Sequence, residues 1–256
     1  MPFTGSHPAA VLPLIRWGLV PSALVIGSMA PDLPYYLPVP VDAGMTHSPV
    51  GTVTVDIVLG GAAFLVWHAV LARFLVAVSP TPVHSRLATT GSQRRTHSTR
   101  VRGIVLTVAS LTVGAATHTL WDAFTHAGRW GSRHIGWLAE QHAGLPGYQW
   151  SQYASGVVGA ISIAAWLLRW WHANQAVAPH ASEPAAWTAR TAWAVIVLAG
   201  IAGGLVAALP APDGEGLLRI VFLAGTGAAG GGLIAAMLYA GCWTVLTRQR
   251  RKTEPD

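Results

Sequence analysis

Charge is scarce in this chain of 256 residues. Asp, Glu, Lys and Arg together make up 10% of it, against about 25% in a typical soluble domain. A water-soluble globule of this size would need far more charge to cover its surface, so that class is excluded. Cysteine is nearly absent as well. Cys242 stands alone, which excludes a disulfide scaffold. There is no Walker loop, no G-x-S-x-G elbow and no H-E-x-x-H helix, so the common signatures of nucleotide, serine-hydrolase and zincin chemistry are missing. What remains is apolar: 52% hydrophobic residues, with 28 Gly and 12 Trp. That content excludes disorder and points to a polytopic membrane protein.

The net charge of +6 is unevenly placed. Arg86, Arg94, Arg95, Arg100 and Arg102 share one hydrophilic stretch, and Arg248, Arg250, Arg251 and Lys252 form the tail. Such clusters between apolar runs follow the positive-inside rule, not a nucleic-acid footprint. Neither nucleic acid nor nucleotide is expected as a partner; the bilayer is. The Gly225-Thr-Gly227-Ala-Ala-Gly230 run fits a dinucleotide pattern but lies inside an apolar segment with no strand before it. It reads as a helix-packing face, as do Gly200 to Gly204.

Five runs are long enough for a hydrocarbon core of ~30 Å: residues 51–72, 103–124, 154–171, 190–209 and 220–246. The expected fold is therefore all-α, one integral membrane domain over 1–256. Residues 1–152 carry the chemistry, 153–247 are accessory helices and 248–256 are a basic tail. The basic clusters put loop 79–102, loop 172–189 and the C-terminus in the cytoplasm of a plasma (inner) membrane protein, and loops 125–152 and 210–218 outside. Residues 9–30 are also apolar, but Pro13, Arg16 and Pro21 interrupt them. A break at 17–21 leaves two helices of ~12 Å, too short to cross. A re-entrant hairpin then returns Asp32 to the outer face that holds His7, where a straight span would part them by ~30 Å.

The sharpest constellation is His118-Thr-Leu-Trp-Asp122-Ala-Phe-Thr-His126. Groups at i, i+4 and i+8 form one stripe on a helix. Two imidazoles and a carboxylate can bind Zn²⁺, with Mn²⁺ or Fe²⁺ as alternatives. The stripe is ~12 Å long, so two of the three share an ion, or two ions sit side by side. His7, Asp32 and His47 reach the same face in this topology. Asp56 and His118 lie ~8 Å and ~9 Å inside their spans, so Asp56 is expected to hydrogen-bond a ligating histidine. His68 lies at the opposite end. His84, His97, His172 and His180 fall in cytoplasmic loops, while His134 and His142 fall in the outer loop with nothing to fix them. Cys242 reads as packing.

Several blocks resemble an uncharacterised bacterial membrane family, domain-of-unknown-function family 4184. They are Met1-Pro-Phe-Thr-Gly-Ser-His7-Pro, Ile26-Gly-Ser-Met-Ala-Pro31-Asp32, Thr46-His47-Ser48, the His118–His126 block and Gln152-Tyr-Ala-Ser155-Gly. The resemblance covers roughly residues 1–170, with the later spans similar only in character, and it carries no activity. A more distant likeness is to membrane-bound metal-dependent hydrolases, whose pattern falls on His7, Asp32, His47, His118 and Asp122. That pattern places His-Arg-Gly before the Thr-His-Ser, where this chain has Asp42-Ala-Gly-Met45.

The expected function is a metal-dependent hydrolase of a lipid or lipid-linked ester or phosphoester at the outer face. His7, Asp32, His47, His118, Asp122 and His126 would bind a divalent metal, zinc first. The metal would bring the pKa of a water near neutrality for attack, and Asp32 or Asp56 would relay protons. Arg129 and Arg133 would meet an anionic head group. Two rivals stand beside it. A metal or proton transporter would line its path with Asp56 and His68. A non-catalytic scaffold would use the His/Asp set as a structural network.

Overall fold

The structure, a computed structural model, describes residues 4–92, 100–176, 186–209 and 216–253. Arg94, Arg95, His97 and His180 lie outside the described residues. Five helices are long and apolar enough to cross a membrane: Val55–Ala77, Val101–His134, Gly147–Ala173, Thr188–Ala208 and Leu217–Thr247. The chain is a helical membrane protein.

The N-terminal segment is broken where its sequence breaks. Helix α1 (Pro8–Val11) leads into a tight turn over Pro13–Trp17, and α2 follows at Pro21–Met29. Gly18 closes the turn at φ 74°, a left-handed conformation that costs glycine nothing. Pro21 then starts α2 where its missing N–H is harmless. A second tight turn, Ala30–Asp32, carries Asp32.

The first span, α3 (Val55–Ala77), begins four residues later than the apolar run. Pro49–Val53 forms a separate short helix capped by Ser48, whose Oγ accepts from the Gly51 N–H at 2.9 Å. A π-turn at Trp67–Leu71 adds a residue within the span. The second span contains α4 (Arg100–Thr125), followed by the short α5 (Trp130–His134). A small hairpin, β1 (Gln141–His142) with β2 (Leu145–Pro146), precedes α6 (Gly147–Ala173). The α6 helix starts well before residue 154. Its first turns carry Tyr148, Ser151 and Gln152, which hydropathy reads as loop, yet Tyr148 and Ser151 are half-buried and Gln152 is buried against His126. The last two spans are α7 (Ala186–Ala208) and α8 (Leu217–Thr253).

Contacts group the chain into two compact units. One comprises the described residues of Met1–Pro34, Pro38–Phe64 and Thr96–Ala173. It includes all of α6. Here α2 lies backbone to backbone on α4. A Cβ on Gly27 would sit 2.3 Å from the Leu111 carbonyl oxygen, and one on Gly114 2.4 Å from that of Leu24. This is the small-residue contact that membrane helices use in place of hydrophobic driving force. The Val20 N–H donates to Ser110 Oγ at 2.9 Å and fixes the start of α2 along α4.

The other unit comprises the described residues of Tyr35–Leu37, Leu65–Arg95 and Asn174–Asp256. Its α7 and α8 touch through Gly203 and Gly227, each of whose added Cβ would lie 2.4 Å from the other's carbonyl oxygen. The glycine pattern in α8 is thus a packing face. Phe74, Leu71 and Val78 pack with Ala192, Ala236 and Ala240, and Trp193 Nε1 donates to the Val78 carbonyl at 3.0 Å.

Candidate functional site

Four separate stretches of the first unit deliver side chains to one cluster. His7 comes from the turn before α1, Asp32 from the turn after α2, His47 from the segment before the Pro49–Val53 helix, and His118 and Asp122 from α4. All five are buried, from 8% exposed at His47 to none at His118. Burying this many ionisable groups in a membrane protein is costly unless they answer one another.

The Thr46-His47-Ser48 motif shows how local sequence sets the geometry. Thr46 Oγ1 donates to the Pro31 carbonyl at 2.7 Å, tying this segment to the one that bears Asp32. Ser48 caps the next helix. His47, between them, is aimed inward. Its Nδ1–H donates to the Ala43 carbonyl at 2.8 Å. His118 is held likewise, its Nδ1–H donating to the Ser28 carbonyl at 2.8 Å. Both histidines therefore present Nε2 to the cluster, which is the orientation a ligating imidazole needs.

The two Nε2 atoms lie 3.3 Å apart. His47 Nε2 is 3.2 Å from Asp32 Oδ1 and 3.4 Å from Asp122 Oδ2. His118 Nε2 is 3.5 Å and 3.4 Å from the same oxygens. Each of these two imidazole nitrogens thus lies within 3.5 Å of a carboxylate oxygen of both Asp32 and Asp122, so positive charge must sit among them, as protons or as a metal. Zinc with ligands at ~2.0–2.1 Å has tetrahedral neighbours about 3.3–3.4 Å apart. The five edges bracket that value. The His7, Asp32, His118 set and the His47, His118, Asp122 set could each hold a metal ion.

The periphery completes the picture. The His7 ring stacks on His118 with centroids 3.7 Å apart. His7 Nε2 has no hydrogen-bond partner, and neither does Asp122 Oδ1, 3.7 Å from it. His126 Nδ1 is 3.3 Å from that same oxygen, while its Nε2 lies 3.4 Å from Gln152 Nε2. Asp32 Oδ2 accepts from the Thr4 hydroxyl. Burial alone would raise the Asp32 pKa, but hydrogen bonds from His118 and His47 outweigh it and hold the carboxyl well below its usual range. Burial, and then the neighbouring His118, push His7 down to about 4, so it is neutral near pH 7. For His47 burial is again opposed, and the two carboxylates raise it to about 9.

A pH prediction follows from His47. Its folded pKa lies above the ordinary 6.5, so its proton stabilises the metal-free protein fully below pH 6.5 and that contribution fades as pH rises through about 9. Thermal unfolding of chelator-treated protein is expected to show falling stability across that window. Metal affinity, titrated over the same range, is expected to rise, because the ion displaces the proton.

Other expected residues fall differently. Asp56 is 1% exposed, and neither of its oxygens has a hydrogen-bond partner. The bond to a cluster histidine that equal depth suggests is not made, because both Nδ1–H groups are already given to the Ser28 and Ala43 carbonyls. Arg129 Nη1 donates to the His47 carbonyl at 3.1 Å, which brings its guanidinium to the edge of the cluster. Arg133 is exposed on α5. His134 stacks on Trp130 and His142 on Trp137, away from the cluster. Sequence reading passed over Thr4, Gln152 and the two anchoring carbonyls. Thr4 and Gln152 sit in the quoted blocks and are detectable only as companions there, and a carbonyl leaves no side-chain signal at all.

No curated protein and no solved structure matches the chain. One family model does, over residues 1–241, and so extends through α7 into α8, past the residue 170 at which motif similarity fades. With 241 of its 256 residues inside that match, the chain belongs to the family described as Domain of unknown function (DUF4184).

Proposed function

We propose that this protein is a metal-dependent hydrolase of the plasma (inner) membrane, acting at the outer face on an ester or phosphoester of a lipid or lipid-linked molecule. The observation that carries the reading is the five edges that join His47 Nε2 and His118 Nε2 to each other and to Asp32 Oδ1 and Asp122 Oδ2, from 3.2 to 3.5 Å. They have the size of a zinc polyhedron, and zinc is the metal proposed. When bound, such an ion supplies Lewis acidity and an activated water.

The chain's own groups take the other roles. His7 Nε2 and Asp122 Oδ1, adjacent and without a hydrogen bond, are the donors left for a second ion or for orienting the nucleophile. His126 braces Asp122, and Gln152 braces His126. Asp56, among the described residues the one buried carboxylate with no hydrogen bond at either oxygen, is the candidate proton acceptor. Arg129 is placed to meet an anionic head group, and the exposed Arg133 would extend that patch. A transporter lined by Asp56 and His68 gains no support, since Asp56 is buried and His68 is exposed.

The test is turnover of a panel of lipid phosphoesters and esters by zinc-loaded protein in detergent. Hydrolysis that stops on chelation, returns with zinc and falls to background in Asp122→Ala is expected. Hydrolysis that survives both His118→Ala and Asp122→Ala would remove the assignment.

A further inference from the structure

Beside the cluster lies a cavity of about 500 Å³, within the size range of sites for drug-sized ligands. One side is the N-terminal segment at Ser6, His7, Ala9 and Ala10, and the other is one face of α6. Along that face Ser151, Ser155, Gly159 and Ser162 recur every three or four residues, so they form a single stripe. From Ser151 to Ser162 the helix rises ~16 Å. That is about half of a ~30 Å hydrocarbon core, the depth of one leaflet.

The stripe's chemistry selects an apolar occupant. Ser162 Oγ donates to the Val158 carbonyl at 2.8 Å, and Ser155 Oγ to that of Gln152 at 3.1 Å. These two hydroxyls spend their protons on their own helix, Ser155 Oγ also accepts from Trp121 Nε1 at 3.1 Å, and the small side chains leave room. At the rim stand Val158, 62% exposed, and Trp121, 45% exposed, both within membrane-spanning helices, so the cavity opens sideways toward lipid. Among the described residues that line it, His7 alone is ionisable, and its ring stacks on His118.

We propose that this groove holds one hydrocarbon chain of a membrane lipid, with the head group directed to His7 and the His/Asp cluster. That the lipid is a substrate rests on the hydrolase reading; occupation of the groove by a chain does not.

The test uses the full chain in nanodiscs of phosphatidylcholine doped with a phospholipid that carries a photoactivatable diazirine midway along one acyl chain. Adducts are mapped by mass spectrometry, with zinc content measured alongside. Adducts concentrated on residues 155–162 are expected. They should fall about tenfold in Ser162→Trp, which fills the deep end and excludes a few methylenes, while zinc content stays unchanged. Ser162→Leu, a smaller change, should lower them less and guards against misfolding of the larger variant. Adducts spread evenly over α6, α7 and α8, or unchanged by both variants, would overturn the groove. Concentrated adducts in a protein with no hydrolytic activity would leave the groove standing and remove the hydrolase. Zinc-dependent hydrolysis with scattered adducts would do the reverse.

Discussion

Asp122→Ala is expected to strip the protein of metal, from near one ion per chain to background by inductively coupled plasma mass spectrometry after detergent purification. This one carboxylate reaches four histidines of the cluster. Its Oδ2 contacts both His47 and His118, and its Oδ1 faces His7 and His126. Removing it deletes a ligand and leaves histidines buried without their counter-charge, a combination far costlier than losing a surface ion pair. Asp122→Asn separates charge from shape. It keeps the volume but exchanges a carboxylate for an amide, and affinity is expected to fall by at least about 100-fold, the upper end of what outer-shell changes cost. Helix content by circular dichroism should be nearly unchanged in both variants, since α4 does not depend on the cluster for its own hydrogen bonds. Full metal retention in Asp122→Ala would mean the cluster is a structural network and the metal lies elsewhere.

Gly114→Leu is expected to remove the metal without touching a ligand. An added Cβ at residue 114 would stand 2.4 Å from the Leu24 carbonyl oxygen. No rotamer relieves a clash between Cβ and backbone, so α2 must move off α4. Asp32 follows α2 directly, and His7 reaches the cluster through the same hairpin. Both then part from His118 and Asp122. Loss of stability on the order of 3 kcal/mol is expected, the high end of overpacking penalties because the obstacle is backbone. It would be read as a lower unfolding midpoint in detergent, alongside metal content. Gly225→Ala is the control, because nothing lies within 4 Å of that position. It should leave both readouts unchanged or slightly improved.

The spans were legible because hydrocarbon thickness imposes a length that apolar runs must meet. The broken N-terminal segment was legible because Pro13, Pro21 and Gly18 each dictate local backbone. The His118–Asp122–His126 stripe was legible from helical spacing alone. What escaped has physical reasons too. Depth fixes one coordinate of a residue and leaves rotation about the helix and partner choice free, so Asp56 could match His118 in depth and still share no hydrogen bond. The start of α6 was missed because its first residues turn polar groups toward protein, and hydropathy cannot tell that from facing water. The grouping of residues 35–37 with the later helices rests on Gly230, whose added Cβ would meet the Tyr36 carbonyl oxygen at 2.1 Å. A single glycine among five others in that helix carries no mark of its special neighbour.

The carbonyls of Ser28 and Ala43 fix the rings of His118 and His47. Every amino acid carries a carbonyl, so replacing either residue leaves the acceptor in place. A substitution scan would therefore register the histidines but could not remove the two acceptors that aim them. Their orientation is inherited from the path of the chain. It can be altered only by rerouting that path, through an inserted or deleted residue near 28 or 43, and single-residue indels there should prove far more damaging than any side-chain exchange.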